Sequence, residues 1–251
     1  MERNITDYEK DYSDLVNGFE KYKVVYRRKK VLEVIDHFRP KTILEIGCGL
    51  EPLFCHTDKE IQFTIVEPSE KFCENAKRLS ADSKNVTCIR GFFEEEVNKL
   101  EKEYDMVICS GLLQEVSDPV KLINAIKLVC DRETIIHINV ANMYSVHRLL
   151  GVELGILEDV FEQSEANKIL QQNTNFDMKR LRTMVENSGL DILEEGSFFI
   201  KPFSHKQMEA MMEQHIIDDH VLEGLYNLSK YMPQFGSEIY VNCRIGNAEG
   251  E

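Results

Sequence analysis

"ILEIGCGLEPLF", Ile43 to Phe54, decides the fold. An apolar run of strand character ends in two glycines flanking Cys48, and the chain then has to turn sharply. Glycine at such a place permits positive φ and lets a ligand approach the backbone more closely than a Cβ would allow. On either side, apolar β-branched runs alternate with segments of helical period. "KTILEIG", "IQFTIVEP", "NVTCIRG", "YDMVICSG" and "ETIIHINV" each read as a short buried strand. Ser69 caps a helix with Phe72, Ala76 and Leu79 on one face. Asp118 and Pro119 start another, with Leu122, Ile123, Ile126, Val129 and Cys130 as its buried stripe. Asp177 opens a third, which Gly189 closes.

Strand alternating with helix predicts parallel strands joined by right-handed crossovers, so the fold class is α/β with a doubly wound, mostly parallel sheet. "LDILEEGSFFI" and "SEIYVNCRI" add two strands, read as an antiparallel pair at the sheet edge, for a seven-stranded sheet. Residues 141–176 and 201–235 fall outside the alternation and read as helical insertions after strands 5 and 6. The chain divides into an N-terminal helical cap, residues 1–40, and a main domain, residues 41–251. The final "NAEGE" reads as disordered.

With 43% hydrophobic and 29% charged residues, the 251-residue chain has the composition of a soluble globular protein. A net charge of −14 argues against nucleic acid or an anionic membrane as partner. "YRRKK", Tyr26 to Lys30, is the one short basic run, and it reads as a solvated helix face. No run approaches the ~18 apolar residues of a membrane span. The amino terminus lacks the apolar stretch of a signal peptide. The seven cysteines are scattered with no C-x-x-C pair, which reads as reduced thiols and a cytoplasmic location.

In a parallel sheet, ligands bind at the carboxyl ends of the central strands. Glu45, Gly47 and Gly49 stand at that end of the first strand, and Glu67 stands 20 residues after Gly47 at the neighbouring strand tip. A carboxylate there accepts both hydroxyls of a ribose. Dinucleotides and S-adenosylmethionine both use this arrangement. The dinucleotide fingerprint G-x-G-x-x-G places its third glycine where this chain has Pro52, and Glu51 sets negative charge where a pyrophosphate would lie. An acidic strand end suits a cationic sulfonium instead.

"ILEIGCG", "IVEPS", "GFFEEE" and "YDMVICSGLLQEVSDPVKLI" resemble successive motifs of class I S-adenosylmethionine-dependent methyltransferases, over about Lys41 to Val140. The resemblance implies the Rossmann-like methyltransferase fold, with the last strand inserted antiparallel beside the edge, and S-adenosyl-L-methionine as cofactor. It implies that Glu45, Gly47, Cys48 and Gly49 lie against the aminoacyl and ribose parts, and that Glu67, followed by Pro68, binds the ribose hydroxyls. Phe92 and Phe93 would lie near adenine, with Glu94 close by. Cys109, Ser110, Gly111 and Leu112 would form the wall beneath the methionine moiety. Many relatives carry a third glycine where this chain has Glu51, and "L-E-H-V" where it has Leu113-Gln114-Glu115-Val116. Glu115 is therefore either a catalytic replacement for that histidine or a solvent-facing loop carboxylate.

The chain lacks the [DNS]-P-P-[YF] turn of enzymes that methylate exocyclic base amines. "CSGLLQE" and "NVANM" supply too few acids for a catechol-type metal site, so no metal is expected. "NVANMYSVHRLLG" resembles the "PNAxSLHRxLG" stretch of methyltransferases acting on sugars or small metabolites of surface-polysaccharide and natural-product pathways. That likeness turns Asn142, Tyr144, Ser145, His147 and Arg148 toward the acceptor, with His147 as base and Arg148 as clamp for a phosphate or carboxylate. Alternatively "VHRLL" begins a lid helix that these two residues brace. Lys201 and His205 border the pocket or lie at the surface, and Met208, Met211 and Met212 are pocket walls or core. Tyr8, Tyr12, Tyr22 and Tyr26 belong to helices closing over the cofactor. The expectation is methyl transfer to oxygen of a small polar acceptor, a sugar or phosphorylated metabolite. A non-catalytic methyltransferase-like binding or regulatory subunit is the alternative, and an NAD-dependent oxidoreductase is disfavoured by Glu51 and Pro52.

Overall fold

Buried Ile43, Leu44 and Ile46 make β1 (Thr42–Ile46) a central strand, covered on both faces as parallel strands are. The computed structural model describes residues 4–15, 18–100, 104–163 and 171–246; the "NAEGE" tail lies outside them. Around β1 are β2 (Gln62–Glu67), β3 (Val86–Arg90), β4 (Met106–Ser110), β5 (Ile135–Ala141), β6 (Leu190–Phe198) and β7 (Glu238–Ile245). They form one seven-stranded sheet in the order β3-β2-β1-β4-β5-β7-β6. β1 to β5 pair in parallel, and β7 is antiparallel to both its neighbours, β5 and β6. This is the Rossmann-like methyltransferase topology the sequence predicted. The strand order reverses at β1 and β4, so the crevice for a ligand opens at their carboxyl ends.

The helices are α1 (Ile5–Leu15), α2 (Glu20–Phe38), α3 (Glu70–Leu79), α4 (Phe93–Glu96), α5 (Pro119–Lys127), α6 (Val146–Glu153), α7 (Met178–Asn187), α8 (His205–Glu213) and α9 (Asp219–Asn227). Their starts follow the local chemistry: Ser69 Oγ accepts from Phe72 N at 3.1 Å, and Asp118 and Asp177 accept from Lys121 N at 2.9 Å and Arg180 N at 2.7 Å. Gly189, at φ +76°, ends α7 in the left-handed region. Leu79 departs from expectation. It is the last residue of α3, past the turn that faces the sheet, and stands exposed.

Residues 201–235 hold α8 and α9, which pack Met208, Leu222 and Tyr226 against Phe19, Tyr26, Phe198 and Phe199 in an aromatic cluster. Met208 and Tyr26 are therefore core, and Met212 and Tyr22 pack half-buried against it. "YRRKK" is not a solvated basic face: Arg27 pairs with Glu238 and Glu20, Arg28 with Glu51, Lys29 with Glu223 and Lys30 with Glu33. Among the described residues no helix is long and apolar enough to cross a membrane.

Candidate functional site

At the carboxyl ends of β1, β2 and β4 lies a cavity of about 480 Å³, within the roughly 300–1,000 Å³ of small-molecule sites. Its floor is the glycine turn. Gly47 and Gly49 adopt φ of +75° and +58°, a conformation that side chains resist. A Cβ on Gly49 would stand 3.4 Å from Tyr12 Oη, so that turn leaves only a narrow gap under α1.

Glu67, at the tip of β2, organises the turn. Its Oε2 accepts from Cys48 N at 2.9 Å and Gly49 N at 3.3 Å, and its Oε1 accepts from Ser69 N at 2.9 Å. One carboxylate thus ties the first two strand tips together beside the cavity.

Glu45 is the second buried acid, and both its oxygens accept from Leu53 N, at 3.3 and 3.2 Å. Burial pushes it up to about 8, the Leu53 bond opposing and neighbouring Glu67 adding to the rise. A folded-state value above the ordinary carboxylate range means the folded chain holds the proton more tightly than the unfolded one. Glu45 is therefore compatible with full stability below pH 4.5 and costs stability as pH rises toward 8, at about 1.4 kcal/mol per unit of displacement. We expect Glu45→Gln to flatten the loss of melting temperature between pH 5 and pH 8. Parallel wild-type and variant curves over that range would refute the assignment.

The cavity wall carries the acids Glu51, Glu67, Glu94, Glu95 and Glu115, with Glu45 holding its proton near neutrality, against Arg27, Arg28 and Lys121. Two of those cations are already engaged, Arg28 by Glu51 at 2.5 Å and Arg27 by Glu238 at 2.5 Å. A pyrophosphate would meet carboxylates here, whereas a cationic ligand meets its complement.

The cavity brings together Glu45, Gly47, Cys48, Gly49, Glu67, Pro68, Phe92, Phe93, Glu94, Ser110, Gly111, Leu112 and Glu115, and of the four tyrosines expected over the cofactor it holds Tyr8 and Tyr12 of α1 but not Tyr22 or Tyr26. Phe92 leaves part of its ring exposed, while Phe93 is buried. Cys109 is not part of the wall: its side chain points into the sheet's apolar core, and burial lifts its thiol to about 12. Glu115 is not solvent-facing. It is buried, and Tyr8 Oη donates to its Oε1 at 3.5 Å.

The residues expected at the acceptor lie elsewhere. Asn142 Nδ2 donates to Gln234 O and Gly236 O, both at 2.9 Å, and its Oδ1 accepts from Tyr144 N at 2.9 Å, so it builds a turn. Tyr144 is exposed, its ring edge-on to Phe161. Arg148 donates to Val160 O at 2.7 Å and to Glu162 O, which spends its guanidinium on the chain that follows α6. His147 does not titrate near neutrality, because burial and the adjacent Lys201 hold it well below the usual imidazole value. None of the four borders the cavity. Of the two that lie on α6, Arg148 reaches the chain that follows the helix and His147 lies beside Lys201.

Glu20, Lys23, Asn139 and Glu238 carry no signal of their own in the sequence and Arg27 reads there only as part of a solvated run, yet the five form a buried polar network behind Gly111. Arg27 Nε donates to Glu238 Oε1 and Oε2 at 3.0 and 2.8 Å. Asn139 Nδ2 donates to Glu238 Oε2 at 2.9 Å. The pairs join α2, β5 and β7, and no local sequence signal links them.

Comparison with known proteins adds a family match. A model described as "Methyltransferase domain" matches residues 44–136. A search against curated proteins returned no match. Among solved structures, the plantazolicin methyltransferase BamL, in complex with a triazolic desmethylPZN analog and SAH, is 16% identical with a TM-score of 0.58, covering 97% of this chain and 98% of that one. A SAM-dependent methyltransferase from Archaeoglobus fulgidus is 17% identical with a TM-score of 0.56, covering 89% and 94%. The mitomycin 7-O-methyltransferase MmcR is 12% identical with a TM-score of 0.53, and the 83% of this chain that aligns spans only 50% of MmcR.

Proposed function

We propose that this chain, whose residues 44–136 are a methyltransferase domain within a class I methyltransferase fold, transfers the methyl group of S-adenosylmethionine to an oxygen of a small polar acceptor, a sugar or phosphorylated metabolite. The observation that carries this is the acidic cavity at the β1–β4 switch point, floored by Gly47 and Gly49 and organised by Glu67. When bound, S-adenosylmethionine supplies a methyl group activated by a sulfonium.

The chain's residues fit that group. The bare glycine turn admits its aminoacyl and ribose parts, Glu67 accepts from the ribose hydroxyls, and Phe92 offers a partly exposed ring to the base. Methyl transfer needs no protonation of the leaving group, so orientation is the main contribution, worth ~7–11 kcal/mol. An acceptor hydroxyl also has to lose a proton. Glu115 is the cavity carboxylate placed to take it, steadied by Tyr8.

Isothermal calorimetry is expected to give micromolar binding of S-adenosylhomocysteine and none of NAD. Radiolabelled methyl transfer to a panel of sugars, sugar phosphates and hydroxy acids then reads the activity. Binding of NAD in preference to S-adenosylhomocysteine would overturn the reading. S-adenosylhomocysteine binding with no transfer to any acceptor would leave a binding subunit in place of an enzyme.

A further inference from the structure

Arg27 lies between α2 and the sheet, and two of its three guanidinium nitrogens are engaged. Nε donates to both Glu238 oxygens at 3.0 and 2.8 Å, and Nη2 donates to Glu238 Oε1 at 2.5 Å and to Glu20 Oε1 at 3.4 Å. A guanidinium has five N–H groups, two of them on Nη1. Among the described residues Nη1 takes part in no hydrogen bond. It is not shut away either. Nη1 would stand 3.4 Å from a Cβ on Gly111, and Arg27 and Gly111 both line the donor cavity. The Arg27 side chain keeps 17% of its exposure, where its partners Glu20 and Glu238 keep 6% and 2%. The third corner of this cation is therefore presented to the cavity.

The way Arg27 is held bears on what that corner can take. Lys23 lies 3.3 Å from Glu20 and 3.7 Å from Glu238, so two cations of α2 face two carboxylates. Buried ions are costly unless paired, and these four are paired before any ligand arrives. A lone anion at Nη1 would leave negative charge in excess. A zwitterionic head group would not, because its ammonium comes with its carboxylate and meets the acids of the cavity wall.

Position points the same way. The sheet order β3-β2-β1-β4 sets Phe92, just past β3, at one end of the cavity, Glu67 of β2 next to it, and Gly111, just past β4, at the other end. A nucleoside with its base at Phe92 and its ribose at Glu67 directs the group on its 5′ carbon across β1 toward Gly111. In S-adenosylmethionine that group is the zwitterionic aminoacyl chain.

We propose that Arg27 Nη1 binds the carboxylate of the donor's aminoacyl chain. The proposal rests on the methyltransferase reading above and names the residue that recognises the far end of its donor. It also gives the clamp by Glu238 and Glu20 a purpose. A guanidinium fixed at two corners offers the third without having to be ordered when the ligand binds.

The test is calorimetric binding of two ligands that differ only in that carboxylate, S-adenosylhomocysteine and its decarboxylated analogue S-adenosyl-3-thiopropylamine. Both are titrated into the full chain and into Arg27→Lys. Lysine keeps a cation for Glu238, but its single nitrogen cannot serve Glu238 and the cavity together. The wild-type chain is expected to bind S-adenosylhomocysteine at least tenfold more tightly than the analogue. In Arg27→Lys that preference is expected to vanish, with S-adenosylhomocysteine weakened at least tenfold and the analogue within threefold of wild type. Equal weakening of both ligands would make Arg27 a structural residue and overturn the proposal. If the lysine variant does not fold, Arg27→Gln, which keeps an amide donor for Glu238, carries the same expectation. Equal affinities of the wild-type chain for the two ligands overturn the proposal whatever the variants do, while leaving the donor reading in place. Failure of both ligands to bind removes the donor reading, and this proposal with it.

Discussion

Glu67→Ala is expected to raise the dissociation constant for S-adenosylhomocysteine at least tenfold, with a lower melting temperature in the unliganded chain. Two losses combine. The ribose hydroxyls lose an ionised acceptor, and charge-assisted bonds of that kind contribute ~1.5–3 kcal/mol each. The N–H groups of Cys48, Gly49 and Ser69 also lose their common acceptor, and the glycine turn that floors the cavity loosens with them. Glu67→Gln separates the two effects. It keeps one carbonyl oxygen but turns an amide donor toward backbone donors, so affinity is expected between wild type and alanine. Calorimetry gives the affinities and differential scanning fluorimetry the stability. Unchanged affinity in Glu67→Ala would mean that the ribose binds elsewhere.

Gly236→Ala is expected to be the most destabilising of the small substitutions. A Cβ at Gly236 would lie 2.5 Å from both Phe198 N and Phe198 O and 2.7 Å from Ser197 Oγ. Two of those three atoms are backbone, so the strands themselves have to move. The same residue donates to Ser197 Oγ at 2.9 Å and accepts from Asn142 Nδ2 at 2.9 Å, linking β6, the start of β7 and the turn after β5. Overpacking usually costs ~1–3 kcal/mol, and the upper end applies here. At ~2–4 °C per kcal/mol for a chain of this size, Tm is expected to fall by roughly 6–12 °C. A change below about 2 °C would show that the β6–β7 end relaxes without cost.

The parts of the site that were legible in the sequence are those whose chemistry is local. Strand runs, the caps at Ser69, Asp118 and Asp177, and the glycine turn each depend on neighbours within a few residues. Glu67 was readable because β1 and β2 are consecutive parallel strands, so the short crossover between them places their tips side by side. The Arg27–Glu238 pair was not, because its members stand 211 residues apart and meet only once β7 inserts beside β5. His147 and Arg148 show the opposite failure. A local likeness named the residues, but the phase of α6 sends them to Val160, Glu162 and Lys201, not to the cavity. Glu115 stayed open in the sequence between a catalytic carboxylate and loop surface because nothing in its own stretch predicts that Tyr8 of α1 reaches it.

The reversed direction of β7 has a consequence for engineering. β6 ends at Phe198 and β7 begins at Glu238, and these two residues sit opposite each other in the ladder. Both ends of the 199–237 stretch therefore emerge on one rim, the one that carries the cavity, and the stretch returns without threading the sheet. What binds it to the rest is α2: Met208, Leu222 and Tyr226 pack on Phe19 and Tyr26, and Glu223 pairs with Lys29, so an exchanged excursion has to bring a matching α2 face with it.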